Sequence, residues 1–286
     1  MTDNRLQPYI MNGAGNRFVI YDARGDAAFT LTSEQVKVIC AKNSSISGPK
    51  GADQLMIMRA PKNVGADLFM EIWNCDGGEV NACGNATRCV AWLYLREIEG
   101  NKAVLQTNAD LLYCQQTGPF EMSVDMGEPK LDWAQIPLAE PMHTHAIDVK
   151  VGPIDDPVLF NPGAVSMGNP HCVFFVEDFE RARPEKVGPM IEFHPLFPEQ
   201  VNVGFARIDA KDKIRLRVWE RGAGLTLACG TGACAAVVAA VRQNHTGRHV
   251  TVIVDGGVLD IHWRESDNHV IMTGPVEMEF DPNHNA

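Results

Sequence analysis

The apolar positions of this chain fall into two spacings that alternate along its length. Short runs rich in β-branched and aromatic residues lie at 18–22, 55–58, 67–73, 173–178, 202–208 and 213–219, bounded by Gly, Asn or Asp. Runs of this kind predict strands. Two longer segments, from Gly84 to about Arg96 and from Gly230 to about Arg242, are apolar nearly all round and rich in Ala, Val or Leu. They predict helices buried on most sides, with Arg96 and Arg242 near their ends to suit the helix dipole. The stretch "TSEQVKVICAK" predicts an amphipathic surface helix with Thr32 or Ser33 as its N-cap. Six prolines between 129 and 162 predict extended or connecting chain. The stretch 270–280 predicts one or two strands, free to return to the first half of the chain.

These elements occur twice in the same order. Trp73 stands ten residues before Cys83, and Trp219 ten before Cys229; Gly78 and Gly224 each follow their tryptophan by five. "GNRFVIYD" from Gly15 is echoed by "GNPHCVFFVED" from Gly168. The repeat is roughly half the chain, too long for a solenoid, so it predicts two pseudo-symmetric α/β domains. We expect residues 1–127, with a C-terminal strand at about 275–286, to form one, and 128–274 the other.

Composition narrows the function. Of the 286 residues, 45% are hydrophobic and 21% charged, which is ordinary for a globular protein. A net charge of −11 argues against nucleic acid and against an anionic membrane surface. No apolar run approaches the roughly 20 residues of a membrane span, and the N-terminal stretch lacks the pattern of a secretory signal. A cytoplasmic protein acting on a small molecule is expected. None of the eight cysteines lies in a Cys-x-x-Cys pair. With His143, His145, His245, His249, His262, His269 and His284 also lacking ligand spacing, no metal site is expected. In a reducing compartment most of these thiols should be plain core residues.

Cys83 and Cys229 stand apart. Each ends a Gly-rich turn and opens a buried helix, whose first N–H groups have no internal partner and carry partial positive charge. That setting predicts a lowered thiol pKa and a place for a substrate carboxylate. Two such thiols suit inversion of a stereocentre, one taking a proton from one face while the other donates to the opposite face. Helix N–H groups at the carboxylate would stabilise the charge that develops. After Trp219, Arg221 suits a carboxylate and Glu220 an ammonium.

The motifs "MNGAGNRF", "WNCDGGEVNACGNATRC", "SMGNPHCVFFVED", "FPEQVNVGF" and "VWERGAGLTLACGTGACAA" together resemble the diaminopimelate epimerases, the cofactor-independent racemases of lysine biosynthesis. The resemblance covers nearly the whole chain. It implies two α/β domains, each a curled mixed β-sheet around a central helix, with the active site in the cleft between them. It also implies a homodimer, no cofactor, and Cys83 and Cys229 as the catalytic pair acting on LL-2,6-diaminopimelate. The reacting carboxylate would meet Gly84 and Asn85 on one side and Gly230 and Thr231 on the other. Asn74, Asn169, Asn202, Glu220 and Arg221 would hold the distal centre. Asn16 and Gln54 fall on further substrate positions, and His171 and Glu220 on residues that tune the thiols. The chain departs from the family pattern at Arg17, where Asp is usual, at Cys75 (usually Ala), at Gly78 (often Ser) and at Ala86 (often Gly). Proline and hydroxyproline racemases share the two-cysteine logic, but their substrates lack the second amino-acid end that Arg221 and the asparagines would recognise. A thiol redox or metal-binding module is the alternative outside the racemases.

Overall fold

The structure is a computed structural model and describes residues 6–153 and 155–283. Residues 1–5 of the stretch read for a secretory signal, and His284, lie outside these. The chain divides into two compact units. One takes the chain up to Val124 together with the stretch from Thr273 onward; the other is Asp125–Met272.

The first unit contains β1 (Tyr9–Gly13), β2 (Asn16–Asp22), α1 (Ser33–Cys40), β3 (Gln54–Arg59), β4 (Leu68–Asn74), β5 (Glu79–Val80), α2 (Gly84–Leu95), β6 (Lys102–Gln106), β7 (Leu111–Gly118) and β8 (Glu121–Asp125). β1 and β2 form an antiparallel hairpin, β2 runs parallel to β3, and β3 is antiparallel to β4 with Gln54 opposite Asn74. β4 pairs with β5 on one stretch and runs parallel to β6 on another. The β6–β7–β8 meander follows. α2 touches β1, β2, β6 and β7, so the sheet curls about it. α1 caps the outer face, where Val36 and Ile39 pack with Val19, Tyr21, Leu55 and Ile57. Thr32 is its N-cap, in a reciprocal capping box with Gln35.

The second unit contains β9 (Lys150–Val151), β10 (Leu159–Phe160), β11 (Gly163–Ser166), β12 (Pro170–Phe175), α3 (Phe179–Ala182), α4 (Pro184–Glu192), β13 (Asn202–Ala210), β14 (Lys213–Glu220), β15 (Gly224–Thr226), α5 (Gly230–Arg242), β16 (His249–Val254) and β17 (Gly257–Trp263). β18 (Val270–Pro275) spans the division, and β19 (Glu277–Phe280) pairs antiparallel with β1 in the first unit. The second unit repeats the pairings of the first: β11 antiparallel to β12, β12 parallel to β13, β13 antiparallel to β14, β14 with β15 and parallel to β16, β16 with β17. α5 touches β11, β12, β13, β14 and β17. Its residues from Ala233 to Ala240 are at most 1% exposed, which explains why no polar face was written into it.

The proline-rich segment is more than connecting chain. Ile136, Leu138, Ile147, Val149 and Leu159 enter the outer-face core of the second unit beside Val187 and Ile191 of α4. Proline kept the segment irregular while its apolar side chains still found a face to cover. The sequence pattern also passed over α3 and α4, which are short and meet at Arg183 in a left-handed conformation.

Close packing around α5 yields a stability prediction. A Cβ on Gly163 of β11 would stand 2.8 Å from the Cβ of Ala239. Gly163→Ala should therefore cost about 1–3 kcal/mol through overpacking, measured as a lowered midpoint in urea unfolding. An unchanged midpoint would show that β11 and α5 separate freely.

Candidate active site

Cys83 is the N-cap of α2, in extended backbone (φ −149°, ψ 109°), and its side chain makes no capping bond. Thr87 Oγ1 donates back to the Cys83 carbonyl at 2.8 Å, a bond that satisfies none of the first-turn N–H groups. Gly84 and Asn85 follow, both buried. Asn85 Nδ2 donates to Asn16 Oδ1 at 2.7 Å, and Arg88 Nη1 donates to Asn85 Oδ1 at 3.0 Å. Gln54 Nε2 donates to Asn74 Oδ1 at 2.9 Å across the β3–β4 register. The amide residues expected in this unit are thus joined in two pairs, Asn16 with Asn85 and Gln54 with Asn74. Arg17, the departure beside Asn16, has its side chain committed elsewhere. Its Nε donates to Glu279 at 2.7 Å, and Nη1 to the carbonyls of Ser47 and Gly51.

Cys229 is the N-cap of α5 in the same extended backbone (φ −126°, ψ 108°), again with no capping bond from its side chain. Its sulfur lies 3.6 Å from Thr231 Oγ1. Asn169 Nδ2 donates to Thr231 Oγ1 at 3.3 Å, and the Asn169 carbonyl oxygen lies 3.0 Å from His171 Nε2. A chain of contacts therefore runs from His171 through Asn169 and Thr231 to the thiol. A Cβ on Gly232 would come within 3.2 Å of the Cys229 sulfur, so this glycine lets the thiol lie against the first helical turn. Asn202 is buried and spent on backbone: its Nδ2 donates to the Pro170 carbonyl at 2.9 Å, and its Oδ1 accepts from the Arg221 N–H at 3.0 Å. The Arg221 guanidinium donates to the Glu199 carbonyl at 2.8 Å. Glu220 accepts from Thr226 Oγ1 in a short hydrogen bond.

The protonation pattern corrects one expectation. The helix N-terminus was expected to lower the thiol pKa at both cysteines, yet the Cys229 thiol is raised well above its usual value of 9.0. Burial is the largest cause and the Glu220 carboxylate adds to it; Thr231 and the Gly232 N–H pull the other way without prevailing. Desolvation outweighs a half-charge of helix dipole because the thiolate loses nearly all its water. Cys229 is therefore a protonated thiol at neutral pH in this state. His171 is pushed the other way, from 6.5 to about 3, by burial and then by Arg221. It is a neutral imidazole, and with its Nε2 proton it donates to Asn169.

The other thiols behave as core residues or surface groups. Cys40, Cys89, Cys114, Cys172 and Cys234 are buried and Cys75 is exposed. Burial pushes Cys40 and Cys89 up to about 12. Among the described residues no three His, Cys, Asp or Glu side chains gather as a metal site. Two buried charged residues escaped the sequence reading. Arg88, wholly buried in α2, supports Asn85. Glu192, 3% exposed, accepts from Trp219 Nε1 and the Gly222 N–H, both at 2.7 Å. A lone arginine in an apolar helix was a signal for the first. Glu192 ends a helix that the pattern did not predict, so nothing flagged it.

Comparison with known proteins places these features in a family. The family model for diaminopimelate epimerase matches residues 8–131 and 163–279. The diaminopimelate epimerase of Phenylobacterium zucineum is 52% identical over 275 residues, covering 96% of each chain. That of Caulobacter vibrioides is 51% identical over 277 residues, covering 94% of each. Among solved structures, a hydroxyproline epimerase from Agrobacterium vitis aligns with a TM-score of 0.66 at 14% identity, covering 97% of this chain and 92% of that one. A phenazine biosynthesis protein from Bacillus anthracis aligns at 0.64 and 16%, covering 96% of each. These structural likenesses show the fold. With the family match spanning most of the chain and relatives near half identical along it, this protein belongs to the diaminopimelate epimerase family.

Proposed function

We propose that this protein interconverts LL-2,6-diaminopimelate and meso-2,6-diaminopimelate, with Cys83 and Cys229 as its acid–base pair. The observation that carries the reading is that each unit sets a cysteine as the N-cap of a buried helix and leaves its sulfur out of the capping bonds. A thiolate takes the α-hydrogen as a proton, forming S–H as C–H breaks, and the electron pair passes into the substrate carboxylate. The other thiol then gives its proton to the opposite face of the α-carbon and is left as thiolate. No redox change occurs, and the two sulfurs end with their protonation states exchanged. The Cys229 thiol, held protonated by burial and by Glu220, would serve as the acid in the direction that begins with Cys83 as base. The N–H groups at Gly84, Asn85, Gly230 and Thr231 would stabilise the carboxylate as it gains charge.

In the same reading Asn16, Gln54, Asn74, Asn169, Asn202, Glu220 and Arg221 bind substrate, with Arg221 on a distal carboxylate and Glu220 on an ammonium. Asn202 also holds the Arg221 backbone, which ties binding to the end of β14. Glu220 tunes Cys229 by direct contact, and neutral His171 orients Asn169 and, through it, Thr231. A homodimer and a cytoplasmic location accompany this reading by resemblance to the family. The proline and hydroxyproline racemase reading has only a shared fold in its favour.

Replacing either Cys83 or Cys229 with Ala should lower epimerisation by about 100- to 10,000-fold, the usual size of a lost general acid or base. Wild-type enzyme in deuterium oxide should place deuterium at the inverted α-carbon. Near-normal epimerisation by either variant, or product that retains its original α-hydrogen, would sink the two-base assignment.

The neutral, buried His171 generates a pH prediction. Its folded pKa of about 3 lies below the ordinary 6.5, so the unfolded chain binds a proton over that window and the folded one does not. Stability is intact above 6.5 and falls as pH drops toward 3, by at most about 1.4 kcal/mol per pH unit. Urea unfolding of His171→Gln from pH 7 to 4 should show a shallower decline than wild type. Parallel curves would mean that His171 titrates normally in the folded protein.

A further inference from the structure

We infer that Glu192, at the C-terminal end of α4, is a positioning residue that sets Glu220 and Arg221 for the reaction. The inference rests on the roles proposed above for Cys229, Glu220 and Arg221. Glu192 is 3% exposed, and each of its carboxylate oxygens has a defined task. Oε2 accepts from Trp219 Nε1 at 2.7 Å and Oε1 accepts from the Gly222 N–H at 2.7 Å. Trp219 and Gly222 flank Glu220 and Arg221 in the chain, so one carboxylate clamps the turn on both sides of its two charged residues. The Asn202 carbonyl oxygen holds the Arg221 N–H between them at 3.0 Å. The clamp sits on packed backbone: a Cβ on Gly188, one turn earlier in α4, would be 2.4 Å from the Trp219 ring.

A carboxylate is suited to this place because it accepts at both oxygens. An amide would turn a donor NH₂ toward one of two N–H groups, leaving a buried donor unsatisfied. The first unit shows that the arrangement is not a requirement of the repeated fold. There Trp73 Nε1 donates to Glu71 on its own strand at 2.8 Å, and Glu71 is paired with Arg59. From α1 the Ser33 hydroxyl donates to the Gly77 carbonyl at 2.8 Å. The residue after Trp73 is the neutral Asn74, and its counterpart after Trp219 is Glu220. The carboxylate clamp occurs where a charged side chain must be held against a thiol.

The test is the pH dependence of kcat/KM for diaminopimelate epimerisation, with thermal unfolding measured on the same samples. Glu192→Gln should lower kcat/KM at least tenfold while its Tm stays within a few degrees of wild type. The alkaline limb of its profile should move to lower pH, because Glu220 no longer holds the proton on Cys229. Trp219→Phe removes one of the two clamped N–H groups and keeps the ring packing, so it should shift the limb in the same direction by less. Activity within twofold of wild type in Glu192→Gln would overturn the inference. So would lost activity with the alkaline limb unmoved, since that marks a structural role alone. If Glu192→Gln does not fold, Trp219→Phe decides, and an unmoved limb there overturns it. Wild-type protein that turned over no diaminopimelate would instead sink the functional reading, and this inference with it.

Discussion

A helix buried on all sides still begins with N–H groups that no residue of the helix can satisfy. α2 and α5 are such helices, and much of the rest of each unit follows from that constraint. Their apolar surfaces demand a sheet that curls about them, and α5 touches β11, β12, β13, β14 and β17. Their first turns demand something small and close. Gly84 and Gly230 supply the small residue, and Cys83 and Cys229 stand as N-caps whose sulfurs do no capping. A helix start left open in this way offers N–H groups to an anion and places a thiol beside it. In the proposed function, the binding site for a carboxylate and the site of proton transfer would both arise from this one hydrogen-bonding constraint.

Repetition gives the two units the same frame, and substitution makes them unequal. The pairings from β1 to β7 recur from β11 to β17, down to the antiparallel pair whose second strand ends in Asn74 in one unit and Glu220 in the other. Around the thiols the chemistry diverges. The first unit has Ala86 where the second has Gly232, an uncharged Asn74 where the second has Glu220, and amide pairs where the second has a relay ending at a buried imidazole. The second unit sets the Glu220 carboxylate beside its cysteine and anchors that turn through Glu192 and Asn202, whereas the first buries the Arg88 guanidinium against Asn85. Such asymmetry suits a reaction whose two faces begin in different protonation states.

The departures from the family pattern also acquire physical meaning. Arg17 is turned to Glu279 and to the carbonyls of Ser47 and Gly51, and so fastens the segment before β3 to β19. Burial and the outer-face core explain why the proline-rich stretch belongs to the second unit despite its irregular backbone.

Periodicity along the chain was enough to determine the strands around each tryptophan, the two buried helices, their order and their repetition, because each depends on residues near one another in sequence. The place of each cysteine at a helix start was legible for the same reason. α4 was not, since it is short and interrupted by Pro189, and with it went Glu192. The protonation of Cys229 could not be read from the chain either. A helix dipole is a local property and was foreseen. The burial that overrides it, the Glu220 carboxylate nine residues away and the relay from His171 exist only once strands distant in sequence lie side by side. Local patterning determined where the thiols stand, and tertiary packing decided which proton Cys229 keeps, because desolvation depends on everything that surrounds a group and not on its neighbours in the chain.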